Sequence, residues 1–322
     1  MVSNQINQVA VIRVPLTTKF RGLDFREMLI FKGSERWSEF SPFLEYGDLE
    51  ASAWLKAALE YANRPLPKLL RTEIPINATL PEVEITAVKA VLERFGQFQT
   101  VKIKVAGSTS DTDSDLARVT EVFRLYPEAK IRLDANGALS VDQAFAMCQA
   151  LSQMPIEYFE QPVATIDELA ELKARLSQHG INIKIAADES IRKASDPLQV
   201  SLKQAADVAV LKVQPLGGIT NCLDIANRIN LQPVISSALE SSVGIAHGLV
   251  LAGALPELDL DCGLGTASLL ATDIVRNPLI PRDGTLSVQE PEIDQAKLSE
   301  LAVDSARQDY WHRRLDRCLD LL

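Results

Sequence analysis

Six polar residues close successive apolar runs of the chain: Lys104 in "VKIKVAG", Asp134 in "KIRLDAN", Glu160 in "IEYFEQP", Asp188 in "IKIAADES", Lys212 in "VAVLKVQP" and Ser236 in "QPVISSAL". Neighbours in this series lie 24 to 30 residues apart. Three carboxylates with no imidazole or thiolate among them make an all-oxygen donor set, which selects Mg2+ or Mn2+ over zinc. A lysine on each side of that set points to proton transfer at a carbon beside a substrate carboxylate, with the metal stabilising the enediolate that results. Desolvation lowers a lysine's pKa and lets it act as a base.

Taken singly, most of these residues have plainer readings. Asp134 can serve a turn before Gly137, and Asp188 or Glu189 can cap a helix. Ser236 and Ser237 suit a strand end, and Lys102 and Lys104 suit an exposed strand edge. Glu160 behind an aromatic pair and Lys212 inside an apolar run are harder to place, because a buried charge without a partner is costly. One shared site accounts for the whole series, whereas the plain readings need a separate reason at each strand.

The spacing is one strand plus one helix. From about residue 75 short apolar runs alternate with segments of helical period, such as "PEVEITAVKAVLERFG" and "SDLARVTEVFRLYP". "TIDELAELKARLSQHG" opens with a capping box, Thr165 to Glu168, and ends at Gly180. Eight such runs, the last being "LDLDCGLG", predict an α/β fold: a (β/α)7β TIM-like barrel with polar groups at its C-terminal mouth. No GxGxxG follows the first run, so a dinucleotide-binding sheet is not expected. Residues 1–74 read instead as an α+β capping domain of alternating strands and a helix capped by Asp48 and stopped by Pro65. The catalytic barrel is expected over 75–284. The charged helical tail, 285–322, is expected to complete the cap or pack on the barrel exterior.

The bulk numbers set the outer limits. The 322 residues are 47% hydrophobic and carry a net charge of −10, with no basic patch, so nucleic acid is not an expected partner. No apolar run reaches the ~18 residues that span a bilayer, so no membrane is expected, and the N-terminal residues do not read as a secretory leader. Four scattered cysteines with no CxxC spacing fit a reducing, cytoplasmic setting and no zinc site. Three isolated histidines argue against a histidine-based metal centre. The substrate is expected to be small and anionic, drawn by local cations and a metal against the global charge. Oligomeric state is not encoded in these features; a monomer is compatible with them.

The set "KIK", "DAN", "EQP", "DES" and "LK" on successive runs resembles the enolase superfamily, muconate-lactonizing-enzyme subgroup, over almost the whole chain. That resemblance implies Mg2+, for which Mn2+ can substitute, on Asp134, Glu160 and Asp188. It implies Lys104 and Lys212 flanking the substrate, Lys102 supporting the substrate carboxylate and the first lysine, and Asn136 and Glu189 standing behind them. "VISSALESSVG" and "CGLGTASLLATDIV" are similar to segments of the o-succinylbenzoate synthase family. This implies a syn-dehydration in menaquinone biosynthesis, with Ser236 and the backbone near Gly263 at the succinyl carboxylate. Related enzymes racemise N-succinylamino acids or epimerise dipeptides on the same scaffold. Asp259 and Asp261 imitate the aspartate pair of the epimerases, but the run continues to Gly265, so they are expected below the mouth. A metal-free Schiff-base lyase built on Lys104 or Lys212 is the alternative of another class, and it leaves the three carboxylates unexplained.

Overall fold

The antiparallel sheet expected at the N-terminus forms from β1 (Asn7–Phe20), β2 (Leu23–Lys32) and β3 (Trp37–Phe40) in a computed structural model that describes residues 5–107, 111–194 and 196–322. Residues 1–4, on which the leader expectation partly falls, lie outside that set. Helix α1 (Asp48–Asn63) lays Ala51, Trp54, Leu55, Ala58, Tyr61 and Ala62 inward. These positions share one face of a 3.6-residue helix. Asp48 is the first helical residue rather than the cap, a place taken by Gly47. The Asp48 carboxylate instead receives two hydrogen bonds from Arg317, at 2.7 and 3.2 Å.

The next run divides. β4 (Glu73–Pro75) leaves to pair with β12 (Thr285–Ser287), and β5 (Ala78–Leu80) starts the parallel sheet. That sheet continues through β6 (Thr100–Lys104), β7 (Lys130–Asp134), β8 (Ile156–Glu160), β9 (Lys184–Ala187), β10 (Val208–Leu211) and β11 (Gln232–Ile235). It is a curled, seven-stranded parallel sheet in sequence order. The connections carry α2 (Val88–Leu92), α3 (Thr112–Leu125), α4 (Val141–Ala150), α5 (Ile166–Gln178), α6 (Glu189–Arg192), α7 (Gln199–Leu202), α8 (Ile219–Arg228) and α9 (Ser242–Ala254). The capping box of α5 is present, with Thr165 accepting from the Glu168 amide and Glu168 reaching back.

The eighth apolar run is not a regular strand. Only Cys262 and Gly263 bridge the two sheet edges, one to Ile76 and the other to Ser236. The Cys262 amide donates to Pro75 O at 2.7 Å and the Gly263 amide to Ile235 O at 2.8 Å. A Cβ at Gly263 would sit 2.6 Å from Ser236 Oγ, so a side chain here would force the Ser236 hydroxyl to turn away. All residues of helix α9 are buried, because it lies between β11 of the parallel sheet and β3 of the N-terminal sheet.

The C-terminal helices α10 (Gln295–Glu300) and α11 (Ser305–Leu319) return to the cap. Trp311, Leu315 and Cys318 share an apolar cluster with Phe40, Phe43, Trp54 and Leu55. The four cysteines are buried and unpaired. Among the described residues no helix is long and apolar enough to cross a membrane.

Candidate active site

Strand register explains why six residues scattered over 133 positions meet. Lys104, Asp134 and Glu160 are lateral partners in adjacent strands, one row at the C-terminal end of the sheet. Asp188, Lys212 and Ser236 follow the last residues of β9, β10 and β11 and extend that row. Alternation does the rest. Val101, Ile103 and Val105 turn to the core under the helices, and Lys102 and Lys104 turn to the opposite face of the sheet, beside Glu160 and Asp134.

The charges neutralise one another across this row. Lys104 donates to Asp134 and, at 2.7 Å, to Asn136 Oδ1. Lys102 Nζ lies 3.1 Å from Glu160 Oε2, 3.7 Å from Asp134 Oδ2 and 3.4 Å from Ser236 Oγ. Lys212 Nζ reaches Asp188 Oδ2 at 2.6 Å. Asn136 Nδ2 donates to Glu189 Oε1 at 3.2 Å, which ties two motif residues together behind the row. Lys102, Lys104, Asp134, Asn136, Glu160, Asp188, Glu189, Lys212 and Ser236 therefore lie together at one end of the sheet.

Burial and neighbours split the ionisation of these groups. Burial holds the Lys104 ammonium below the ordinary lysine value, against the opposing pull of Asp134. Burial also works against Lys102 and Lys212, but Glu160 with Asp134, and Asp188 with Glu160, outweigh it and raise both. Burial and the Asp134 charge push Glu160 up to about 7. Asp134 and Asp188 are depressed in spite of burial, by Lys104 with Lys102 and by Lys212 with Arg192.

The donor set fits a hard cation in chemistry more than in its present arrangement. Glu160 Oε1 and Asp188 Oδ1 are buried without a hydrogen-bond partner, two acceptors that an ion would satisfy. Among the described residues, however, no three acidic, His or Cys side chains converge at cation-binding distance. The ammonium groups lie on the carboxylates instead, so uptake of an ion needs Lys104 and Lys212 to turn off Asp134 and Asp188.

Sequence reasoning missed several neighbours. Gln161 accepts from the Asp188 and Ser190 amides, both at 3.1 Å, and so fixes the turn that presents Asp188. Arg192, three residues past Glu189, donates to it at 2.9 Å and lies 3.3 Å from Asp188 Oδ1. The available signal was that Gln161 is the middle residue of "EQP" and Arg192 lies two residues past "DES". The cap closes the cleft with Phe20, Arg21, Phe43, Tyr46 and Trp54. Arg21 lines this cleft, whereas Arg26 is buried against Leu239 O and Ser41 O. Asp261 accepts from Thr100 at 2.6 Å, at the opposite end of β6 from Lys104, and Asp259 reaches Gln232, the first residue of β11. Neither aspartate reaches the mouth.

Comparison with known proteins agrees with this geometry. The enolase C-terminal domain-like family model matches residues 84–292, and the enolase N-terminal domain-like model matches 11–62. The o-succinylbenzoate synthase of Mycolicibacterium smegmatis is 46% identical over 318 residues, 98% of this chain and 97% of that protein. The o-succinylbenzoate synthase of Mycobacterium leprae is 47% identical, over 98% of this chain and 93% of that protein. The crystal structure of muconate lactonizing enzyme from Pseudomonas fluorescens, complexed with muconolactone, superposes with a TM-score of 0.78 at 21% identity, covering 94% of this chain and 100% of that one. The chain belongs to the enolase superfamily and, within it, to the o-succinylbenzoate synthase family.

Proposed function

We propose that the chain dehydrates 2-succinyl-6-hydroxy-2,4-cyclohexadiene-1-carboxylate to 2-succinylbenzoate, as a cytoplasmic step of menaquinone biosynthesis. The observation that carries this reading is the pair of buried lysines on opposite sides of the carboxylate row, one anchored at Asp134 and the other at Asp188. The reading also takes residues 1–74 as the cap, 75–284 as a closed (β/α)7β barrel with Cys262–Gly263 as its eighth strand, and 285–322 as the segment that completes the cap.

Asp134, Glu160 and Asp188 would hold Mg2+, or Mn2+ in its place, whose charge offsets the negative charge gathering on the substrate carboxylate during reaction. Lys104 Nζ takes the proton from the ring carbon that bears the carboxylate. The electron pair of that C–H bond moves toward the carboxylate and then into the ring as the C–O bond to the hydroxyl breaks. The same ammonium returns its proton to the departing hydroxyl, so water leaves from the face the proton left. Lys212 keeps its charge over the other ring face and stabilises the electron-rich intermediate. Lys102, shared between Glu160, Asp134 and Ser236, holds the carboxylate end, and Asn136 and Glu189 brace Lys104. Ser236 and Gly263, which line the cleft, receive the succinyl arm.

Two lysines on opposite faces also suit N-succinylamino acid racemisation, which is the second reading. Dipeptide epimerisation lacks support because Asp259 and Asp261 lie away from the mouth. The test assays dehydration, racemisation and epimerisation in parallel, before and after EDTA treatment and with Mg2+ restored. Dehydration should dominate in kcat/KM, vanish with EDTA and return with Mg2+. Full turnover without metal, or a borohydride-trapped lysine adduct, would replace this reading by Schiff-base chemistry.

A further inference from the structure

We propose that Trp54 is a specificity-determining residue whose Nε1–H donates to the terminal carboxylate of the substrate's succinyl arm; this rests on the dehydration reading above. Trp54 is fully buried on α1 and lines the cleft. Its indole N–H has no acceptor in the protein. Among the described residues that line the cleft, it is the one with a buried polar side-chain atom left without a partner. An orphan donor of this kind is disfavoured unless something else satisfies it.

Position selects which part of the substrate does so. The ring and its carboxylate belong among Lys102, Lys104 and Lys212, which form the barrel side of the cleft. Trp54 forms part of the facing cap wall with Phe43 and Tyr46, whose rings meet its indole edge-on at 6.0 and 6.2 Å. The arm is the part of the substrate that extends away from the ring carboxylate. Ala238, two residues past Ser236, packs on the apolar cluster to which Trp54 belongs, so the arm leaving Ser236 runs toward this wall. One of the two serine donors on that path is engaged already: the Ser237 hydroxyl donates to Gly263 O at 2.6 Å, whereas Ser236 Oγ accepts from Lys102 Nζ at 3.4 Å and keeps its proton to donate. A carboxylate carries more acceptor capacity than Ser236 fills, and a charged acceptor makes the stronger bond to an indole N–H.

The experiment compares the product 2-succinylbenzoate with 2-butanoylbenzoate, in which a methyl group replaces the terminal carboxylate. Dissociation constants are measured with Mg2+ present for the wild type and Trp54→Phe. The variant should bind 2-succinylbenzoate roughly tenfold or more weakly, the loss expected for a hydrogen bond to a charged group. It should bind 2-butanoylbenzoate within about twofold of wild type, and KM should rise more than kcat falls. A purely structural role would weaken both ligands alike. A second measurement needs no stable variant at position 54. In the indole 15N–1H spectrum of the wild type, the Trp54 resonance, assigned by elimination with Trp37→Phe and Trp311→Phe, should move downfield with 2-succinylbenzoate and not with 2-butanoylbenzoate. Unchanged discrimination between the ligands, or an unmoved resonance, overturns the role of Trp54 and leaves the dehydration reading standing. A wild type that binds both ligands equally overturns both.

Discussion

Lys104 and Lys212 are the same residue type at the same height of one barrel, yet their surroundings differ. Lys104 is shared between a carboxylate and an amide oxygen and is held below the usual lysine range by burial; Lys212 is raised by Asp188 and Glu160 in spite of burial. A syn elimination needs one group that both takes and returns a proton, and one that only supplies charge. The proposed reaction gives the first task to Lys104 and the second to Lys212. Arginine keeps the charge but offers no usable base near neutral pH. Lys104→Arg should therefore lower the dehydration rate by at least ~10²-fold. Lys212→Arg should be milder on dehydration and as damaging as Lys104→Arg on racemisation, which needs a donor and an acceptor on opposite faces. Steady-state kinetics of both variants on both substrates decides this, with folding checked by circular dichroism. Dehydration that survives Lys104→Arg and is lost in Lys212→Arg would exchange the two roles. At this scale the sequence was legible wherever a polar residue interrupted an apolar run. It was silent on Phe43, Tyr46 and Trp54, because an aromatic residue facing a cleft and one facing a core follow the same pattern.

Among the elements, α9 joins the barrel to the cap, and a carboxylate from the cap serves its first turn. Glu39 on β3 accepts from the Ser241 amide and hydroxyl and from the Gly244 amide, at 3.1, 2.5 and 3.1 Å. Ser41 donates to its other oxygen at 2.5 Å. Burial, with the nearby Glu240 charge, pushes Glu39 up to about 7, against the hydrogen bonds from Ser241 and Ser41 and the Arg26 charge. A carboxyl whose folded pKa exceeds its unfolded value binds more protons in the folded state. Its contribution is fully present below about 4.5 and is lost as pH rises through about 7. Wild type should lose roughly 3 kcal/mol relative to Glu39→Gln across that window, at ~1.4 kcal/mol per pKa unit. His247 on the same helix, held down to about 3 by burial and then by Arg36, acts in the opposite direction and is common to both proteins. Urea unfolding of the pair at pH 5 and pH 8 isolates the difference, and a pH-independent gap would remove Glu39 from the account. Nothing in the Glu39 segment marks this contact, since its partners lie about 200 residues away. Local rules succeeded where the cause is local, as in the α5 capping box. They failed at Asp48, drawn to Arg317, and at the eighth run, where only Cys262 and Gly263 make bridges.

Over the whole molecule, the C-terminal helix controls the wall of a cleft that it does not touch. Arg314, buried on α11, donates to Phe43 O at 3.1 Å and to Tyr46 O at 2.6 Å, and both of those residues line the cleft. Arg314 also packs over Trp311, whose ring meets Phe40 edge-on at 5.9 Å and whose N–H donates to Glu27 Oε2 at 2.9 Å. The last helix thus holds the loop between β3 and α1 from behind through its carbonyls, while Arg192 and Lys193 meet the Tyr46 ring. Arg314→Leu keeps an apolar stem but leaves two buried carbonyls without this donor, at ~1–3 kcal/mol each. The melting temperature should fall, and the loosened wall should raise KM for the cyclohexadiene substrate several-fold with a smaller change in kcat. Affinity for Mg2+, read from the rise in melting temperature with added metal, should stay at the wild-type value because Asp134, Glu160 and Asp188 belong to the barrel. An equal loss of Mg2+ affinity and substrate affinity would mean that α11 supports the barrel mouth itself, and that cap and barrel do not divide the work of binding.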